Sequence, residues 1–135
     1  MSTPSSQGDK RPLSPYMIGP YYRPQLTSVL SITHRATGVF LSAGVLVLIW
    51  GCVALAAGAA DFAAFTECLG SAVGTLVVIG FTYSLWFHFF NGLRHLGWDM
   101  GRGLELSSAY SSGYAVLILA LLAGSGTLWS IYLRN

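Results

Sequence analysis

The chain has 135 residues, of which 53% are hydrophobic and only 9% are charged, and its formal net charge is +2. A soluble domain carries about a quarter charged residues, so this composition excludes a soluble globular domain and indicates a membrane protein. The small net charge also gives no electrostatic basis for binding nucleic acid.

Three uncharged, mostly apolar stretches, at 36–60, 68–87 and 109–133, are long enough to cross a hydrocarbon core, which requires about 20 helical residues. They predict transmembrane spans at about 31–60, 66–96 and 107–133. The stretches are apolar all round and lack the alternation of barrel strands, so we predict an all-α fold. The predicted organisation is a short N-terminal cytoplasmic segment, 1–30, followed by a three-helix transmembrane anchor domain, 31–135.

The first 30 residues show neither the apolar core and cleavage motif of a signal peptide nor an Arg-rich amphipathic presequence. We therefore expect a multi-pass protein of the bacterial inner membrane, with the mitochondrial inner membrane as the alternative. Six Lys and Arg residues lie near the N-terminal and second-loop ends of the spans and one lies at the other side: Lys10, Arg11, Arg23, Arg35, Arg94 and Arg102 against Arg134. This asymmetry predicts a cytoplasmic N-terminus.

A serine, a histidine and an arginine gather where the first span begins. Ser31 lies three residues before His34 and four before Arg35, so the three side chains share one helix face. Ionisable groups at this depth cost free energy and persist mainly where a bundle interior or a ligand compensates them. The cluster predicts a binding site, and the alternative for Arg35 is a positively charged membrane anchor.

The second cluster lies on the second span. At about 100° per residue, the helix places one set of polar and small residues on a single face: Ser84, His88, Asn91, Gly92 and His95. A neutral imidazole as deep as that of His88 needs a partner, either a hydrogen bond to a neighbouring helix or a haem iron. Arg94, next to His95, could again be a membrane anchor.

Glycines repeat every seven residues along the first span, at Gly44, Gly51 and Gly58. A stripe without side chains lets a neighbouring helix approach closely, and we interpret it as a packing surface.

Three blocks of the chain, taken together, resemble the cytochrome b membrane-anchor subunits of succinate dehydrogenases. They are residues 11–15 (RPLSP), 31–38 (SITHRATG) and 88–99 (HFFNGLRHLGWD). The resemblance implies a complex in which a flavoprotein subunit oxidises succinate and an iron–sulfur subunit relays the electrons. Two small anchor subunits in the lipid bilayer then bind haem b and reduce ubiquinone.

Site residues follow from the resemblance position by position. His88 matches the axial ligand of the haem iron, and the other axial histidine is expected from the second anchor subunit. His34 and Arg35 match residues beside the haem propionates, and Ser31 and Arg35 match residues that contact the quinone. His95 is expected to contact a propionate or another subunit. No residue of this chain is expected to catalyse succinate oxidation.

Three alternatives stay open. The chain could anchor a related quinol:fumarate reductase. It could be a self-contained haem b protein that ligates iron with His34 and His88 from two helices. Finally, it could be a structural or transport subunit whose histidines are interhelical hydrogen-bonding groups.

Overall fold

The computed structural model describes residues 23–132, and this part of the chain forms four α-helices and no strand. Helix α1 spans Leu26–Ala57, α2 spans Ala59–Gly70, α3 spans Ala72–Asp99 and α4 spans Leu106–Tyr132. Helices α1, α3 and α4 are long and apolar enough to cross a membrane. The predictions of an all-α fold and of three transmembrane helices are confirmed.

The short helix α2 is a feature that the sequence analysis did not predict. The chain breaks at Gly58, whose φ of 137° is a conformation that glycine adopts most easily. It breaks again at Ser71, which is extended and whose hydroxyl accepts a hydrogen bond from the Gly74 N–H at 3.1 Å. This N-cap starts α3 at Ala72, so the second span begins later than in the predicted range 66–96.

The other helix ends lie close to the predicted ones. Helix α1 begins at Leu26, inside the stretch predicted as the N-terminal segment 1–30, and ends at Ala57 rather than at residue 60. Helix α4 begins at Leu106, next to the predicted start of the third span. Most of the predicted cytoplasmic segment, including the block at 11–15, lies outside the described residues.

Helix α3 is the centre of the bundle because it packs against both α1 and α4. The interior is small and consists of a cluster formed by Leu30, Phe87, Val116 and Ala120. Many large apolar side chains point outward, as the 68% exposure of Leu46 illustrates. Such a surface suits a lipid environment, where apolar burial does not drive helices together and close contacts at small residues matter more.

The glycine stripe of α1 is a packing surface along part of its length. A Cβ at Gly44 would overlap the ring of Phe81 from α3, and one at Gly51 would lie 2.7 Å from the Phe65 ring of α2. The interpretation as a packing surface is therefore confirmed for these two positions. It is wrong for Gly58, which is the residue between α1 and α2, because a Cβ there would contact no described residue other than its two chain neighbours.

We predict that Gly44→Ala destabilises the bundle, because the added methyl group forces the Phe81 ring off α1. Overpacking of this kind costs about 1–3 kcal/mol, which would appear as a lower thermal unfolding temperature in detergent. The matched control is Gly126→Ala in α4, since a Cβ at Gly126 would contact no atom of residues 23–132 beyond the adjacent residues and backbone of its own helix. Equal unfolding temperatures for the two variants would contradict the close α1–α3 contact.

Candidate functional site

All three histidines of the chain meet where α1 packs against α3. The His34 and His88 rings are stacked, with centroids 3.9 Å apart and planes inclined by 10°. The His95 ring lies 5.0 Å from the His34 ring at an angle of 35°. The two clusters that the sequence analysis found on separate helices therefore form one group of imidazoles.

Gly38 permits this close approach of α3 to α1. A Cβ at this position would lie 3.0 Å from Cε1 of His88, closer than side-chain carbons normally come to one another. On the opposite helix, a Cβ at Gly92 would lie 3.8 Å from Cε1 of His34, which is an ordinary contact distance. The glycine of each helix thus lies beside the histidine of the other.

Hydrogen bonds fix the tautomer of His88. Its Nδ1 lies 3.1 Å from the main-chain carbonyl oxygen of His34 and 3.3 Å from the Thr37 hydroxyl. A carbonyl oxygen can only accept, so Nδ1 carries the hydrogen and Nε2 of the neutral ring keeps the lone pair. A backbone carbonyl that accepts from one ring nitrogen, while the other is left to bind a metal, is the usual arrangement of a histidine ligand.

The Thr37 hydroxyl is itself held in place by the turn of α1 that precedes it. It lies 2.9 Å from the carbonyl oxygens of Thr33 and of His34, to which it donates. Its oxygen is therefore oriented to accept from His88, and the imidazole is held by two groups of α1.

The other two histidines differ in how their ring nitrogens are satisfied. His95 donates from Nδ1 to the Asn91 carbonyl oxygen at 3.1 Å, and the edge of its ring contacts Trp98. Nδ1 of His34 is buried and has no hydrogen-bond partner among the described residues. An unsatisfied buried polar atom costs about 1–3 kcal/mol, which suits a site that a bound group completes.

The stacking of His34 on His88 argues against the self-contained di-histidine haem protein. Two axial histidines direct their ring nitrogens at one iron from opposite faces of a macrocycle, whereas these rings lie face to face at 3.9 Å with no space between them. Residues 23–132 also contain no group of three His, Cys, Asp or Glu side chains that could hold a bare metal ion. A cofactor held by Nε2 of His88 would therefore need its remaining ligands from elsewhere.

Ser31 and Arg35 lie on α1 within one turn of His34. Ser31 is half-buried and Arg35 is exposed, and neither side chain makes a hydrogen bond to another described residue. A hydroxyl donor and a guanidinium group are thus available, side by side, to a group outside this part of the chain.

Arg94 is not a membrane anchor, because its side chain lies inside the bundle and is only 8% exposed. It donates from Nε to Ser112 Oγ at 3.0 Å and from Nη2 to the Ala109 carbonyl oxygen at 2.8 Å, both on α4. Its Nη1 lies 3.4 Å from Oδ1 of Asn91. Asn91 is fully buried, and its Nδ2 donates to the Leu30 carbonyl oxygen of α1. The sequence analysis missed this network.

A signal for the network is nevertheless present in the sequence. Asn91 and Arg94 are three residues apart, so the polar face of α3 that carries His88 and His95 continues through Asn91 to Arg94. The serines near the start of α4 are the polar groups that such a face requires in a neighbouring helix.

Comparison with known proteins shows a match over most of the chain. Residues 7–127 match the family described as succinate dehydrogenase/fumarate reductase transmembrane subunit. The chain is 39% identical over 124 residues to the mitochondrial succinate dehydrogenase cytochrome b560 subunit of Homo sapiens, covering 88% of this chain and 70% of that one.

Bacterial relatives are similar over comparable lengths. The succinate dehydrogenase cytochrome b556 subunit of Paracoccus denitrificans is 38% identical over 107 residues, which cover 79% of this chain and 81% of the relative. That of Rickettsia prowazekii is 34% identical over 114 residues, or 84% and 87% of the two chains.

Proposed function

Because the chain belongs to the family of succinate dehydrogenase/fumarate reductase transmembrane subunits, we propose that it anchors a succinate dehydrogenase in the membrane, binds haem b and forms part of the ubiquinone-reduction site. Succinate oxidation itself takes place in partner subunits. The observation that carries the proposal is the His88 imidazole, whose Nδ1 is held by α1 and whose Nε2 keeps its lone pair. The family also includes fumarate reductases, but the relatives compared above are succinate dehydrogenases.

In this proposal Nε2 of His88 would hold the haem iron, and a histidine of the second anchor subunit would be its other protein ligand. Bound haem b accepts and releases single electrons. The His34 carbonyl and the Thr37 hydroxyl orient the ligand ring. Arg35 provides the cation for a propionate carboxylate, with which guanidinium groups form strong charge-assisted bonds. The His34 ring is stacked on the His88 ring, and the His95 ring lies next to that of His34.

The quinone chemistry rests on Ser31 and Arg35. The Ser31 hydroxyl donates a hydrogen bond to a quinone oxygen, and Arg35 stabilises the negative charge that develops on that oxygen during reduction. Arg35 is exposed at this end of the bundle, so water can supply the protons that complete reduction to the quinol. The electrons come from succinate through the iron–sulfur subunit.

The partners in this proposal are a flavoprotein subunit, an iron–sulfur subunit and a second small membrane anchor. In this proposal the chain lies in a bacterial inner membrane, and the Lys and Arg asymmetry favours a cytoplasmic side for the N-terminus and the α3–α4 turn. The three long apolar helices and the match to a family of transmembrane subunits support the membrane location.

We predict that His88→Ala lowers the haem content of the purified complex or changes the spectrum of its low-spin haem, because the axial nitrogen is lost. Membrane insertion should be unaffected, since the hydrophobicity of α3 hardly changes. The control is Phe89→Ala, a substitution at the neighbouring position, where the side chain is 50% exposed. Haem content and spectrum identical to those of the unaltered complex would refute the ligand assignment.

We predict that Ser31→Ala and Arg35→Leu lower the rate at which succinate reduces ubiquinone. The rate at which succinate reduces a soluble dye should not change, because the dye does not use the membrane site. Loss of a hydrogen bond to a charged group costs about 1.5–3 kcal/mol, or on the order of 10- to 100-fold in rate. The larger effect is expected for Arg35→Leu, which also removes a propionate partner.

The matched control for these two variants is Ser42→Ala, because Ser42 is an exposed serine of the same helix whose hydroxyl donates to the Gly38 carbonyl oxygen. An equal loss of quinone and dye reduction in a fully assembled complex would show that Ser31 and Arg35 do not act at the quinone.

For the topology, we predict that a reporter inserted in the turn 101–105 is cytoplasmic and that one fused after Asn135 is periplasmic. The physical reason is the excess of Lys and Arg at the end of the bundle that holds the histidines. Reporter activity with the opposite pattern would place the quinone site on the wrong side of the membrane for an iron–sulfur partner in the cytoplasm.

A further inference from the structure

A crevice of about 340 Å³ opens between α3 and α4, on the side of α3 that faces away from the histidines. Near the α3–α4 turn it is lined by the polar groups of Arg94, Arg102 and Ser112. Farther from the turn it is lined by the apolar side chains of Phe90, Val116 and Leu119. The crevice is therefore cationic at one end and apolar at the other.

The cationic end contains a buried charge that this part of the chain does not neutralise. Arg94 donates three hydrogen bonds, all to neutral oxygens, although a guanidinium group has five N–H donors. Within residues 23–132 no carboxylate forms an ion pair with it. Its other contact is the face of Trp98, 3.9 Å from the guanidinium carbon to the ring centroid. A cation at this depth is costly without an anion to compensate it.

Arg102 supplies a second guanidinium group at the mouth of the crevice. It lies in the turn between Gly101 and Gly103, whose φ values of 72° and 71° are left-handed. Its side chain is exposed and makes no hydrogen bond to another described residue. Two guanidinium groups and a hydroxyl group are well suited to bind a phosphate, because arginine donates in the planar, bidentate geometry that phosphate oxygens accept.

We propose that the α3–α4 crevice binds a phospholipid with an anionic headgroup, whose phosphate lies between Arg94 and Arg102. One of its acyl chains packs along Phe90, Val116 and Leu119 and extends into the membrane. The apolar end of the crevice favours a lipid over free phosphate, because an acyl chain can pack against apolar side chains and a phosphate ion cannot. Basic pockets between transmembrane helices near the cytoplasmic surface are recognised sites for anionic headgroups. This site is separate from the histidines, which face α1.

The test uses the membrane complex purified through this chain, stripped of lipid in detergent and titrated with phosphatidylglycerol, phosphatidylcholine or inorganic phosphate. Bound lipid is counted by native mass spectrometry. We expect saturable binding of phosphatidylglycerol in preference to phosphatidylcholine. Arg102→Gln and Arg94→Gln should weaken this binding about tenfold or more, the usual effect of losing a charge-assisted bond.

Arg102→Gln is the decisive variant, since an exposed turn residue can be replaced without disturbing the bundle. Arg102→Lys should retain most of the binding because it keeps the charge. The matched control is Arg23→Gln, an exposed arginine before α1 that does not line the crevice. Haem content, measured on the same samples, should not change, which separates this site from the proposed function.

Three results would overturn the proposal. Unchanged phosphatidylglycerol binding in Arg102→Gln would exclude the crevice as the lipid site. Equally strong binding of inorganic phosphate, in competition with the lipid, would show a site for a free anion. Loss of the iron–sulfur subunit from Arg102→Gln, with lipid binding intact, would assign the crevice to a protein partner.

Discussion

Polar side chains that lie among apolar helices must find their partners inside the protein, and this constraint determines how the bundle is held together. The hydrocarbon core of the bilayer offers no hydrogen bonds, and it solvates the outward-facing Leu and Val side chains as well as a protein core does. The contacts that distinguish one helix arrangement from another are therefore close approaches at glycine and hydrogen bonds between helices. His88 bonds to α1, and Arg94 bonds to α4.

Helix α3 joins these two sets of contacts. One of its faces presents His88 and His95 to α1, and another presents Arg94 to α4. Asn91 lies between the two faces and contacts Arg94 as well as the Leu30 carbonyl oxygen, one residue before Ser31. The residues proposed to bind haem and quinone all lie on α1 and α3, yet α4 is connected to them through Arg94 and Asn91.

The three long helices could be predicted because uncharged stretches of this length have few other stable structures in a membrane. Helix α2 could not, since its limits depend on the backbone conformation of Gly58 and on the cap at Ser71, which a hydropathy pattern does not specify. The site clusters were visible because histidine and arginine are rare in such segments.

What the sequence could not show is how the helices are rotated relative to one another. The pattern on α3 placed Asn91 with the histidines, and only the position of α4 reveals that Ser112 and Ala109 complete the hydrogen bonds of Arg94. The stacking of His34 on His88 likewise depends on the packing of α1 against α3, which no local pattern specifies.

The turn after α3 is closed by a hydrogen bond from Trp98 Nε1 to the Gly103 carbonyl oxygen at 3.0 Å. Together with the hydrogen bonds of Arg94 to Ala109 and Ser112, this bond holds α3 and α4 together as a helical hairpin near their connecting turn. At the same end of the bundle, His88 and Asn91 make polar contacts that join α1 to this hairpin. No connecting turn joins α1 to α3 at this end, because the chain passes between them through α2 at the other end. We therefore expect local opening of the bundle to begin at the α1–α3 seam, beside the residues proposed to bind haem and quinone.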